Sequence, residues 1–200
     1  VLFRSGSEQQ SRNFRIHDQF LKHIDILPEH VHIPDGTVSE QDISEYCAAY
    51  DKSIRKIDLM IIGFGEQGQI GFNEQGSYAK SPTRLVELSH NSRKTQSNLF
   101  FGLENTPKMA ITMGIGTIMR ADKIILMAWG EDKATAVQKI VEEDISDKIP
   151  ASHLQEHPNV ELVIDEIAAE KLTREQTPWL VGPCEWTPKF VRKAVVWLCS

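Results

Sequence analysis

Five short apolar runs divide the chain, and polar or amphipathic segments lie between them. Short apolar runs bounded by glycine, proline or polar clusters predict β-strands. The first run is apolar at successive positions, so we expect it to be buried on both faces, as the strands of a parallel sheet are. The predicted strands cover residues 57–63, 83–89, 108–114, 123–130 and 160–165.

Helical periodicity fills several of the segments outside these strands. Apolar residues recur with a helical spacing over 8–25, and Ser39 with Asp42 has the spacing of a capping box that predicts a helix to about Arg55. Residues 28–38 are predicted to be a loop. Further helices are predicted over residues 131–143, over a short piece at 152–157, and from Thr187-Pro188 onwards.

Strands that alternate with helices predict an α/β domain with a mostly parallel sheet. We therefore expect the strands that end at Gly63, Ser89, Gly114 and Gly130 to lie in one sheet. Ligands bind such folds at the carboxyl ends of the strands. Residues that follow those ends are accordingly the first candidates for a functional site.

Composition narrows the possible partners. The 200 residues are 40% hydrophobic and 25% charged, which is typical of a globular domain, and the formal net charge is −6. That charge disfavours nucleic acid or an anionic membrane as the main partner, and no apolar run approaches the ~20 residues of a membrane span. The three cysteines, Cys47, Cys184 and Cys199, are odd in number and widely spaced, which favours reduced thiols and a cytoplasmic location.

Both ends of the sequence look cut. The first six residues, VLFRSG, resemble an artefact or a translated adapter scar and are excluded from the fold reasoning. The chain has no initiator methionine, and the last predicted helix runs to Ser200. We expect 7–200 to be a single domain and a fragment of a longer protein.

A glycine-rich loop follows the first predicted strand. Gly63-x-Gly65-x-x-Gly68 spells a dinucleotide-binding turn, and Glu87 lies 19 residues beyond Gly68, near where a ribose-binding acid is expected. That turn must open a helix, and residues 66–82 contain further glycines and a proline but no helical period. The pattern therefore disfavours a nicotinamide or flavin cofactor. A structural turn, or a loop whose N–H groups approach another ligand, remains open.

Residues 153–157 spell H-x-x-E-H, an inverted zinc-protease motif. The segment spans barely two turns between Pro150 and Pro158. A capped structural turn, a zinc site formed by His153 and His157, and a role at an interface are the alternatives. We favour the structural turn and expect no metal.

Lys133 lies just after the strand that ends in Gly130, in the first turn of a predicted helix. It can pair with Glu131 or Asp132. Alternatively, its ammonium group and the free N–H groups of the helix can hold an anion such as a phosphate.

The loop GFGEQGQIGFNE resembles the active-site loop of glucosamine-6-phosphate deaminases, whose pattern is G-x-G-x-D-G-H-x-A-F-N-E. The similarity continues through TRLVELSHNSR, TPKMAITMGIGTIMRADKIILMAWGEDKA and IPASHLQEHPN, and covers roughly residues 10–175. The tail PWLVGPCEWTPKFVRKAVVWLC is similar to a narrower bacterial group, in which a domain resembling the LmbE/PIG-L sugar N-deacetylases follows.

This resemblance implies a modified Rossmann-like, three-layer α/β fold, here incomplete at the N-terminus, with no nucleotide cofactor. It also implies amino-sugar metabolism, in which ring opening, a proton shift from C2 to C1 and ammonia release give fructose 6-phosphate. By position, Glu74 matches the catalytic glutamate and Lys133 the phosphate-binding lysine. Gly63, Gly65 and Gly68 belong to the substrate-binding loop, and Ser77 and Arg84 match positions that bind an allosteric sugar phosphate in some members.

The departures from the family pattern concern the acid–base groups. The aspartate and histidine of the loop are Gln67 and Gln69, and a glutamine cannot exchange protons as an imidazole does. A phosphate-binding arginine aligns with Asn98. The family's phosphate loop and its proton-abstracting aspartate precede the region where this sequence begins.

We therefore expect a domain that binds a phosphorylated amino sugar, can form homo-oligomers, and is inactive as a deaminase in this 200-residue form. The main alternative is a non-catalytic sensor or structural domain attached to a deacetylase. A nucleotide-dependent oxidoreductase is the third. We also expect Glu74 and Lys133 to open toward the same rim of the sheet.

Overall fold

The computed structural model describes residues 9–54 and 56–199. The predicted scar, 1–6, and the expected helix end at Arg55 lie outside the described residues. The α-helices are α1 Arg12–Gln19, α2 Ile43–Ser53, α3 His90–Gln96, α4 Ile115–Ile118, α5 Ala134–Glu142, α6 Glu166–Ala169, α7 Thr173–Gln176 and α8 Pro188–Cys199. The strands are β1 Met60–Gly63, β2 Arg84–Glu87, β3 Met109–Thr112, β4 Ile124–Ala128 and β5 Val160–Ile164. Short 3₁₀ helices cover Leu21–His23, Pro28–His30, Ser97–Phe100, Glu131–Lys133, Pro150–Glu156 and Pro178–Leu180.

The main sheet is parallel, in the order β1-β4-β5. Gly63 at the end of β1 is level with Met127 near the end of β4, so both strands finish at the same edge. β5 pairs with the other side of β4 in the same direction. The fold is therefore mixed α/β with a mostly parallel main sheet, as the alternation of apolar runs predicts.

The prediction that the strands ending at Gly63, Ser89, Gly114 and Gly130 lie in one sheet is wrong. β2 and β3 form a separate, two-stranded antiparallel sheet. The connection between them contains α3, a 3₁₀ helix, and two residues with positive φ, Phe101 and Gly102. All five predicted strands exist, but their pairing depends on contacts between distant segments, which the local pattern does not report.

Two hydrophobic clusters flank the antiparallel pair. Ile111 of β3 packs with Ile43 and Cys47 of α2 on one side, and Ala110 packs with Phe100 and Leu88 on the other. The parallel sheet has its own core, in which Ile124 and Leu126 of β4 pack against α4, α5 and the segment Pro150–Glu156. These cores hold the segments that leave the carboxyl edge of the parallel sheet.

Two predicted elements differ in extent or environment. The first strand is not buried on both faces, because Ile61 on one face of β1 is 62% exposed. The first helix ends at Gln19 rather than continuing to residue 25, because Phe20 leaves the helical conformation with φ −135°. Within the residues that the structure describes, no helix is both long enough and apolar enough to cross a membrane.

Candidate functional site

The loop after β1 is a series of turns, and no helix follows it before β2. The Gly68 N–H donates to the Gly65 carbonyl at 2.9 Å, and the Gly65 N–H donates to the Gln69 carbonyl at 2.9 Å. The Gly68 carbonyl in turn accepts from the Ala151 N–H at 2.8 Å, which joins the loop to the segment Pro150–Glu156. A dinucleotide turn that opens a crossover helix is therefore absent from this part of the described chain, as the sequence predicts.

Both the backbone conformation and the close packing at position 68 require a glycine. Its φ is +73°, in the left-handed region, and an added Cβ would lie 2.6 Å from the Cγ2 of Ile149. This glycine therefore shapes the turn and permits close packing, whatever ligand the loop receives.

The side-chain amide of Gln69 stabilises the loop by accepting from the main-chain N–H of Gln67. The side-chain oxygen of Gln69 accepts from the Gln67 N–H at 3.1 Å, and an added Cβ at Gly65 would overlap the Gln69 carboxamide. Gln67 itself is exposed. The position that matches the family's histidine thus holds a neutral amide that lies folded against the loop's own backbone.

Asn73, just before Glu74, is fully buried. Its amide donates to the carbonyls of Ile70 at 2.9 Å and Met113 at 2.8 Å, and its oxygen accepts from Arg84 at 2.9 Å. The preceding Phe72 N–H donates to the hydroxyl of Thr112 at 3.0 Å. These bonds attach the end of the loop to the end of β3.

The Glu74 carboxylate accepts from the Ser89 N–H, at 3.3 and 3.1 Å to its two oxygens. Ser89 also caps α3, where its hydroxyl accepts from the Ser92 N–H at 3.2 Å. Glu74 is therefore held at the junction between β2 and α3.

The candidate site residues line two different cavities. Gly63, Gly65 and Gln69 line one of about 430 Å³, together with Arg12 and Phe72. A second cavity of about 450 Å³ is lined by Glu74, Ser77 and Arg84, with Phe72 between the two. Lys133 is among the lining residues of neither.

Arg84 lies in the wall of the second cavity with its guanidinium already engaged. Besides Asn73, it donates to the Ser77 hydroxyl at 3.2 Å. Burial lowers the pKa of Arg84, although a guanidinium remains protonated at neutral pH. The two residues that the family resemblance links to an allosteric site are thus brought into direct contact.

Lys133 immediately precedes α5, after the carboxyl end of β4. Its ammonium group pairs with the Asp132 carboxylate at 2.8 Å, which is the simpler of the two predicted arrangements. The segments that carry Glu74 and Lys133 both leave the carboxyl edge of the parallel sheet, since β1 and β4 end side by side.

The two histidines of the H-x-x-E-H segment face different partners. His153 Nε2 lies 2.8 Å from an Asp147 oxygen, and His157 Nε2 lies 2.7 Å from the Ala121 carbonyl. His157 Nδ1 accepts from the Asn159 N–H at 3.1 Å. Both imidazoles are used in structural contacts, and in the described part of the chain no group of three or more His, Cys, Asp or Glu could hold a metal.

Sequence reasoning missed three residues that shape these cavities: Arg12, Phe72 and Asn73. Asn73 carried a signal, because an asparagine inside an apolar-flanked turn often hydrogen-bonds the backbone. Phe72 and Arg12 carried none, since their proximity depends on how α1 packs against the loop.

Comparison with known proteins gives the same picture of the fold. The family model for glucosamine-6-phosphate isomerases/6-phosphogluconolactonase matches residues 5–164. A solved structure of a monomeric glucosamine-6-phosphate deaminase superposes with a TM-score of 0.80 and 36% identity, covering 84% of this chain and 70% of that one. A 6-phosphogluconolactonase from Trypanosoma cruzi shares the fold, with a TM-score of 0.67, 20% identity, and coverage of 86% of this chain and 70% of that one.

Two relatives show how much of a longer sequence this chain matches. A glucosamine-6-phosphate deaminase-like protein of Bacteroides thetaiotaomicron is 47% identical over 186 residues, which are 92% of this chain and 28% of that protein. A glucosamine-6-phosphate deaminase of Halothermothrix orenii is 40% identical over 166 residues, which are 82% of this chain and 68% of that protein.

Proposed function

The chain belongs to the glucosamine-6-phosphate isomerase/6-phosphogluconolactonase family, and from this premise we propose that it binds a phosphorylated amino sugar at the carboxyl edge of its parallel sheet. The observation that carries the proposal is the anchoring of the loop end. Buried hydrogen bonds hold Asn73, and a main-chain N–H holds Glu74, so the protein itself fixes the part of the loop that matches the family. A site of this kind is prepared for binding before the ligand arrives.

In this proposal, Gly63, Gly65 and Gly68 give a sugar access to the loop backbone, and Glu74 orients neighbouring groups. Gln67 and Gln69 offer amides that hydrogen-bond hydroxyl groups but do not exchange protons near neutral pH. Lys133, beside the start of α5, is the cation that the family resemblance assigns to the phosphate. The proposed function of this chain is therefore binding without deamination.

Ser77 and Arg84 form the second part of the proposal. They meet in the cavity that Glu74 also lines, so a sugar phosphate bound there would contact a residue of the catalytic loop directly. We propose this cavity as the regulatory position that the family resemblance indicates.

A non-catalytic sensor or structural domain, attached to a sugar N-deacetylase, is the second candidate. Its support is the outward face of α8, where Val195, Val196 and Leu198 are exposed and offer an apolar surface for another domain or a second copy. We also propose a cytoplasmic location for the chain. The free thiols of Cys47, Cys184 and Cys199 support it.

Isothermal titration calorimetry of the 200-residue chain tests the binding proposal. We expect glucosamine 6-phosphate to bind at least ~10-fold more tightly than glucosamine, because charge-assisted hydrogen bonds are roughly twice as strong as neutral ones. Lys133→Ala should weaken binding of the phosphorylated sugar more than that of the neutral one. Equal affinities for the two sugars, or no binding of either, would count against the proposal.

A further inference from the structure

The turn that carries Glu74 and Ser77 is attached to a distant segment of the chain. The Ser77 N–H donates to the Glu74 carbonyl at 3.0 Å, which closes the turn, and Gly76 lies inside it with a φ of +88°. The Gly76 N–H donates in turn to the main-chain carbonyl of Asp147 at 2.7 Å. The position of the turn therefore depends on the position of Asp147.

The main chain around Asp147 is fixed by hydrogen bonds of its own. The Ser146 N–H donates to the hydroxyl of the fully buried Ser152 at 2.9 Å, and that hydroxyl donates to the Ser146 carbonyl at 3.2 Å. The Ile149 N–H also donates to the Ser146 carbonyl, at 2.9 Å. These bonds hold the residues on either side of Asp147, and its side chain makes a separate contact.

That separate contact is with His153, the first histidine of the H-x-x-E-H segment. Its Nε2 lies 2.8 Å from the Oδ1 atom of Asp147, and the His153 side chain is 9% exposed, against 55% for Asp147. A side chain packed in a dense interior has little room to change rotamer, so the imidazole is a rigid partner for an exposed carboxylate. The Nε2–H group can donate to the carboxylate whether the ring is neutral or protonated.

We infer that His153 is a positioning residue for the proposed sugar site. Through the Asp147 side chain it steadies the carbonyl that receives the Gly76 N–H, and so it fixes the turn that presents Glu74 and Ser77. This inference rests on the proposed function, and it gives a role to a histidine that binds no metal in the described part of the chain.

The first test is amide hydrogen exchange of the 200-residue chain, followed by NMR without ligand. Asp147→Ala removes an exposed carboxylate and should raise the exchange rate of the Gly76 N–H roughly 3- to 10-fold, the effect of losing one ordinary hydrogen bond. His153→Ala should have the same effect, whereas His153→Gln keeps a side-chain N–H donor and should stay close to the unmodified chain. The amides of β4 report general destabilisation and should change by less than about twofold.

Asp58→Ala is the matched control for Asp147→Ala. Asp58 is also an exposed carboxylate with a cationic partner, Lys56 at 2.5 Å, so the change in charge is the same. It should leave exchange of the Gly76 N–H within about twofold of the unmodified chain. Combining Asp147→Ala with His153→Ala should produce no further rise at Gly76, because the two side chains act through one contact.

Calorimetry with glucosamine 6-phosphate then connects the turn to the site. Asp147→Ala should weaken binding roughly 3- to 10-fold, and Asp58→Ala by less than about twofold. If the unmodified chain binds the sugar, but Asp147→Ala leaves either Gly76 exchange or the affinity unchanged, the inference is overturned while the proposed function stands. If the unmodified chain binds neither glucosamine 6-phosphate nor glucosamine, the proposed function is overturned, and the inferred role in that site with it.

Discussion

At the scale of single residues, one buried carboxamide connects three parts of the chain. Asn73 joins its own turn through the Ile70 carbonyl, the end of β3 through the Met113 carbonyl, and Arg84 at the start of β2. A buried polar group costs little when its partners are present and much when they are removed. The loop that carries Glu74 is therefore anchored by the side-chain amide of Asn73.

We expect Asn73→Ala to lower the free energy of unfolding by about 2–4 kcal/mol, since two buried carbonyls and one guanidinium lose a partner together. Urea unfolding followed by circular dichroism measures the change. Asn105→Ala is the control, because Asn105 is exposed and its amide lies 3.5 Å from the Phe101 carbonyl, so the expected change is below ~0.5 kcal/mol. Equal losses in the two variants would contradict the anchoring role.

The loop residues show what a sequence reveals at this scale. The sequence alone shows that Gln67 and Gln69 cannot exchange protons near neutral pH, because this property depends only on the residue type. The folding of the Gln69 amide over Gly65, and the meeting of Arg12 with Phe72, depend on rotamers and on packing between distant segments. Those could not be predicted from the residue order.

At the scale of elements, two glycines allow a helix to start directly against a turn. An added Cβ at Gly114 would overlap the carbonyl oxygens of Ser81 and Pro82, although its φ of −73° suits any residue. The Gly116 N–H donates to the Ser81 carbonyl at 3.0 Å, and the Ile115 N–H donates to the Ser81 hydroxyl at 3.2 Å. This contact positions the turn that precedes Arg84.

Gly114→Ala should therefore lower the free energy of unfolding by at least about 1–3 kcal/mol, because the added methyl meets main-chain atoms that cannot rotate away. Gly182→Ala is the matched control. An added Cβ at Gly182 meets nothing within 4 Å, so its effect should stay within ~0.5 kcal/mol. Chemical unfolding of both variants measures these changes. If Gly114→Ala leaves the free energy of unfolding unchanged, α4 can move away from the turn.

The positions of the strands were predicted from the sequence, but the pairing between them was not. Each of the five apolar runs forms a strand, because such residues fit a pleated, half-buried surface. β2 and β3 pair with each other rather than joining the parallel sheet, and the connection between them contains two residues with positive φ, Phe101 and Gly102. Likewise, the apolar run at β1 cannot report that Ile61 on one face of the strand is left exposed.

At the scale of the whole molecule, the negative net charge of the chain opposes the proposed binding of an anionic ligand. The formal net charge of −6 repels a phosphorylated sugar at long range, so local cations and main-chain N–H groups must supply the attraction. Arg12, Arg84 and Lys133 lie on three different elements around the two cavities and the carboxyl edge. In the proposed function, recognition would therefore depend on the assembled fold and not on any one motif.

Deamination requires acid–base groups in addition to the groups that bind the sugar. We expect this chain to lack deaminase activity. Ammonia release from glucosamine 6-phosphate should not exceed a control without protein. Losing one positioned acid–base group typically costs ~10²–10⁴ in rate, and groups that act as a unit do not recover one at a time. Gln67 is exposed and Gln69 is folded onto the loop, while Glu74 is held by the Ser89 main chain, with no imidazole hydrogen-bonded to it among the described residues.

Gln67→Asp combined with Gln69→His should accordingly rescue nothing in these 200 residues, because groups that act as a unit do not recover activity when only some of them are restored. Binding of glucosamine 6-phosphate by the same double variant, measured by calorimetry, is the control that its loop remains folded. Steady ammonia production by the unmodified chain, abolished by Glu74→Gln, would contradict this prediction. It would mean that Glu74 performs the proton transfer without a histidine partner, and that the glutamines had replaced groups the chemistry does not need.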